Sequence, residues 1–161
     1  MNSIAPDLIY PTLLVGLLAV LLFAAAISDL RSRSISNWLN GAIALGAIPF
    51  WFSLGLDPWP MMAIQLGLAL ATFALFAIFF ALGAMGGGDV KMIAALALWL
   101  PAGLLLNVLM IMAVAGGLLT VIVWLWHKAR RTPLGEGVPY GVAIAIAGIW
   151  AINQQYINQF A

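Results

Sequence analysis

Apolar runs follow one another along almost the whole chain, with only short polar clusters between them. No other feature restricts the fold so strongly. A soluble domain needs a polar coat, and 65% apolar residues against 7% charged ones leave little to build it from. The solvent for such surfaces is lipid. There every backbone N–H and C=O must find a partner inside the protein, so runs of this length read as helices. About 20 apolar residues cross a bilayer, and the runs at positions 8–28, 38–56, 61–83, 90–105, 107–126 and 138–152 predict six helices. The expected fold is an all-α polytopic membrane bundle, one domain over residues 1–161 with no room for a separate soluble unit. The stretch 8–27 has no basic residue before it and no clear cleavage site, so it is expected as a retained helix rather than a signal peptide.

The fourth and fifth runs require an argument. One helix from Val90 to Trp126 would be far longer than a bilayer needs, and Pro101-Ala102-Gly103 offers a turn, so a hairpin between Leu100 and Asn107 is expected. Charge tests the count. Arg31 and Arg33 follow the first run, while His127, Lys128, Arg130 and Arg131 follow the fifth, and cytosolic loops collect Lys and Arg. Both clusters reach the cytosol only if six helices run from an external N-terminus, with both termini outside. On that layout Trp38, Trp124 and Trp126 lie near the cytosolic interface and Trp51, Trp59, Trp99 and Trp150 toward the other, as an aromatic belt. Gly116 and Gly117 give weak support for close helix packing. Net charge is +1, too small for a nucleic-acid surface. With no cysteine and no second histidine for a conventional metal cluster, His127 reads as an interfacial residue rather than a ligand, and no metal or other cofactor is expected.

Acids are few, and the topology sorts them. Asp7 and Asp57 fall outside, whereas Asp29, Asp89 and Glu136 fall at the cytosolic face. An aspartate at the centre of a membrane helix costs about 2.5–3.5 kcal/mol on insertion scales, and less toward the ends, so Asp29 and Asp89 invite a functional reading. Both belong to one level of the bundle, where two carboxylates can share a proton and activate a water for peptide hydrolysis. The plainer reading is that each is an interfacial charge paired with Arg31 or Lys91. Gly86-Gly87-Gly88 directly before Asp89 lets extended substrate backbone approach the carboxylate and permits positive φ, although a triple glycine also serves as a simple connection. Asn40, Gln65 and Asn107 read as interhelical hydrogen-bonders or interface residues.

At these residues the chain resembles a family, the type IV prepilin peptidases of the GxGD class of intramembrane aspartic proteases. Gly86-Gly87-Gly88-Asp89-Val90-Lys91 is similar to that family's GxGDxK signature, and Asp29 is followed at the family's distance by Ile35-Ser36-Asn37. Val138-Pro139-Tyr140-Gly141 is similar to a Pro-aromatic-Gly element in these enzymes. Ser36 stands where the family commonly has proline. The long members' cysteine-bearing insertion, which goes with N-methylation, has no counterpart here, so the chain looks like the short peptidases of Flp-type (tight adherence) pili. The related presenilin and signal-peptide-peptidase branch usually has tyrosine before its first aspartate, where this chain has Ser28.

The resemblance implies a multi-pass enzyme of the bacterial inner membrane, its site facing the cytosol. Asp29 and Asp89 would be catalytic, and Gly86, Gly87, Gly88 and Lys91 would contact the substrate. That substrate is a prepilin with a short basic leader cleaved after glycine and an apolar helix in the bilayer. Glu136 is a candidate contact for a basic leader. Helix dipoles favour an anion at the N-terminal position of Asp89 over the C-terminal position of Asp29, so Asp89 is expected as the base and Asp29 as the holder of the shared proton. The rival from another class is a small transporter or channel component using Asp29, Asp89 and Lys91 as an ion or proton site; an assembly subunit without catalysis is a third reading.

Overall fold

The computed structural model describes residues 6–130 and 139–160. Arg131, Glu136 and Val138, and the side chain of Asp7, lie outside the described residues. Among the described residues the protein is an all-α bundle of six helices: α1 (Pro6–Ser32), α2 (Asn37–Ser53), α3 (Ala63–Ala81), α4 (Gly87–Ala97), α5 (Ala102–Arg130) and α6 (Tyr140–Phe160). The spans Ile9–Ser32, Pro58–Ala81 and Ala102–Ala129 are each long and apolar enough to cross a membrane. α2 has 17 residues and α4 only 11. At 1.5 Å per residue α4 is about 16 Å long, roughly half a hydrocarbon core.

That shortness organises the fold. α4 packs against α2, α3 and α6, while α1 packs against α2 and α6, and α5 against α6. The expected break between the fourth and fifth runs is present and begins earlier, but α4 and α5 do not pack on each other as a hairpin: α4 closes with tightened bonds from Leu98, Trp99 and Leu100 to the carbonyls three residues back, and Pro101 then leads into α5. A helix ending inside an apolar bundle leaves carbonyls without intrahelical donors. Two side chains meet them: Trp51 of α2 donates its Nε1 to Leu98 O at 2.7 Å, and Gln65 of α3 its Nε2 to Leu100 O at 3.2 Å. Trp99 reaches back to Ile43 O at 2.8 Å and stacks on Phe50, with ring centroids 4.8 Å apart.

This corrects the aromatic belt. Trp51 and Trp99 are buried ties between α2 and the end of α4, whereas Trp38, Trp59, Trp124 and Trp126 are exposed. Gln65 is an interhelical hydrogen-bonder as expected; Asn107 is exposed. Gly116 does permit close packing, since a Cβ there would lie 2.8 Å from the Tyr140 ring.

Candidate active site

Asp29 sits in the last turn of α1, and Asp89 in the first turn of α4. Both are buried, at 4% and 8% exposure, while Asp57 at the far end of the bundle is exposed. The two carboxylates line one cavity of about 210 Å³ with Arg33, Ser34, Ile35 and Gly86–Gly88. A water occupies about 30 Å³ of liquid volume, so the cavity has room for water between the acids.

α1 ends on Arg33, whose N–H bonds to Asp29 O at 2.9 Å and whose φ of 51° is left-handed, an uncommon conformation for a residue with a side chain. The chain turns there and runs through Ile35 to Asn37 at the start of α2. Ser28 Oγ bonds to Ser34 O at 2.9 Å across the turn.

The glycine run acts differently from the sequence expectation. Gly86 caps α4 with φ −72° and ψ 144°, and Gly87 and Gly88 are already helical. Among the described residues the left-handed glycines are Gly55 and Gly83. Space explains Gly88: a Cβ there would lie 3.2 Å from Ile35 O and 3.3 Å from Ile35 N, so the two acid-bearing segments touch backbone to backbone. Asn40 ties them further, its Nδ2 donating to Gly88 O at 3.0 Å. Lys91 is turned to the other side of this segment, where its Nζ meets Asn37 Oδ1 at 2.8 Å. The pairing of Lys91 with Asp89, which the interfacial-charge reading used and the ion-site reading would favour, is therefore replaced by a bond between α4 and α2.

A third helix completes the site. Gly141, second residue of α6, donates its N–H to Asp29 Oδ2 at 2.8 Å, and the same N–H lies within reach of Asp89. Asp29 thus caps the N-terminus of α6, where N–H groups lack intrahelical partners. This contact offsets the helix-dipole argument that set Asp29 apart from Asp89. Asp29 closes its own helix but faces the N-terminus of another, so each carboxylate meets a helix start. Only the Pro-aromatic-Gly element hinted at this donor, and no spacing rule connects residue 141 to residue 29.

At the same end Arg33 shares a second cleft with Trp126 and His127, which brings the two basic clusters together on the carboxylate face. Among the described residues no three His, Asp or Glu side chains gather as a metal site. The sequence model described as the type IV leader peptidase family matches residues 16–121, which include both aspartates. No curated protein and no solved structure matches the chain.

Proposed function

Since the chain belongs to the type IV leader peptidase family, we propose that Asp29 and Asp89 are its hydrolytic pair and that it removes the short basic leader from an Flp-type prepilin at the cytosolic face of the bacterial inner membrane. One observation carries this reading: two buried carboxylates 60 positions apart, on different helices, line a single cavity with room for water. In the proposed reaction one carboxylate takes a proton from water as its oxygen attacks the scissile carbonyl, and the other acid gives its proton to the leaving amine. Gly86 and Gly87 leave room at the rim for the extended backbone around the scissile bond, and Lys91 faces the substrate from beyond the segment. The joint position of Arg33 and His127 supports a cytosolic face, because basic residues favour that side.

The test is co-expression with a prepilin bearing a basic leader, comparing wild type with Asp29→Asn and Asp89→Asn. Each variant is expected to lose about 10³-fold or more of the cleavage rate with the protein still in the membrane. Continued shortening of the substrate by both variants would refute the pair. Retained ion flux in liposomes with no cleavage by the wild type would favour the transporter reading.

A further inference from the structure

α2 and α3 are not packed along each other; between them lies a groove of about 480 Å³ with α4 as its floor. Its surfaces are small where a helix backbone would press, at Gly41, Ala44, Ala69 and Ala94, and larger at Leu70 and Phe73. Small residues of this kind let helices approach closely in lipid. Asn37, Asn40 and Lys91 stand at the end where α2 and α4 begin.

Asn40 is the informative member. It is 5% exposed, its Nδ2 is committed to Gly88 O, and its Oδ1 is buried without a hydrogen-bond partner. A buried unpaired acceptor is unfavourable and asks for a donor. Gly88 also lines the carboxylate cavity, so groove and cavity are the two sides of one short segment.

We propose that this groove seats the apolar helix of the substrate, with its N-terminal end at Asn40 and the preceding chain crossing Gly88 into the carboxylate cavity; this rests on the peptidase reading above. The missing partner favours a helix N-terminus over a lipid acyl chain in the groove. An acyl chain lying in the groove offers Asn40 Oδ1 no donor, whereas the first turn of a helix carries four N–H groups without intrahelical partners. Oδ1 itself has almost no accessible surface, so a donor meets it only when the Asn40 side chain shifts toward the groove that this residue lines. The geometry also sets the direction. The helix enters with its N-terminus toward the carboxylates, which leaves the leader on the polar side.

The experiment uses the full-length enzyme in membranes with a co-expressed prepilin. A photo-crosslinking residue, p-benzoylphenylalanine, is placed at Leu70 in the groove or at Val114, exposed on α5 away from it, in the Asp89→Asn background that holds substrate uncleaved. Leu70 is expected to capture the prepilin through its apolar helix and Val114 to capture lipid. Gly41→Leu provides a second measurement, since a Cβ at Gly41 meets open space and the new side chain fills the groove without displacing protein. It should raise KM about tenfold while kcat stays within about twofold. Capture from Val114 but not Leu70, capture of lipid alone at Leu70, or an unchanged KM in Gly41→Leu would each overturn the groove while wild-type cleavage keeps the peptidase reading. If wild type does not cleave, the peptidase reading fails and the groove assignment falls with it.

Discussion

Replacing Gly141 by alanine tests whether the α6 N-terminus holds Asp29. The new Cβ would lie 2.7 Å from Ile35 Cδ1, 2.9 Å from Asp29 Oδ2 and 3.1 Å from Asp29 Cβ. Comfortable carbon contacts are about 3.5–4.0 Å. The Ile35 methyl is a chain end and can swing aside, but Asp29 Cβ is fixed to α1, which packs along α6. Either α6 withdraws by several tenths of an ångström or the Asp29 carboxylate turns. Both movements lengthen the 2.8 Å bond toward the limit of hydrogen bonding.

A hydrogen bond to a charged group contributes about 1.5–3 kcal/mol. At 1.36 kcal/mol per factor of ten, its full loss in the transition state would lower kcat/KM by about 10- to 100-fold. Overpacking should also reduce stability by about 1–3 kcal/mol. Gly148→Ala is the control, because its Cβ would meet only the side-chain ends of Leu22 and Leu96, at 2.8 and 3.1 Å, on the same helix. It should lose comparable stability yet keep its activity per folded molecule. Leader cleavage in proteoliposomes, with thermal unfolding of the same samples, separates the two effects. Wild-type kcat/KM in a folded Gly141→Ala protein, or equal loss in both variants, would refute the positioning argument.

Three further substitutions have definite expected outcomes. Ser36→Pro should fold and cleave, because Ser36 caps α2 at φ −67° and its side chain makes no capping bond; a gain of about 0.4–1 kcal/mol in thermal unfolding is expected, and loss of both folding and cleavage would contradict it. Trp51→Phe removes the donor to Leu98 O and should lower stability by about 1–3 kcal/mol, with little change in cleavage per folded molecule; an unchanged melting temperature would show that the carbonyl needs no partner. Gly88→Ala presses a methyl onto the Ile35 backbone and so must part the two acid-bearing segments; cleavage should fall more than tenfold, and a rate near wild type would show that their contact is not needed.

What was legible in the sequence follows from the solvent. The six apolar runs translate into six helices because lipid leaves the backbone no alternative, and Asp29 and Asp89 stand out because an acid is expensive there. Lengths were less legible. α4 stops at Ala97 although the apolar run continues to Leu105: Pro101 has no N–H for the Ala97 carbonyl, and Trp51 and Gln65 then donate to the Leu98 and Leu100 carbonyls just beyond the helix. The same residues explain the error in the aromatic belt. Interface and interior both suit tryptophan, since its ring is apolar and its N–H needs a partner, so position along a run does not distinguish them.

The deeper limit is that hydropathy reports the solvent and not the neighbour. In water an apolar stripe marks the buried face of a helix, but in lipid both faces are apolar. Leu22 is fully buried and Phe23 beside it is 62% exposed; Ile43 is buried and Leu45 is 66% exposed. Periodicity therefore carries little information about which face turns inward, and other residues must mark the interior. In this chain glycines and polar groups do so. Gly46 lies under Trp99, Gly116 under Tyr140, and Gly148 between Leu22 and Leu96. Asn40 and the Gly141 N–H join the segments that carry the acids. Each of these would be unremarkable on a hydropathy plot, yet together they determine which helix faces meet. The two aspartates could thus be picked out from the sequence by the cost of an acid in lipid and by the motifs around them, whereas the α6 contact that holds Asp29 came into view only once the helix faces had been assigned.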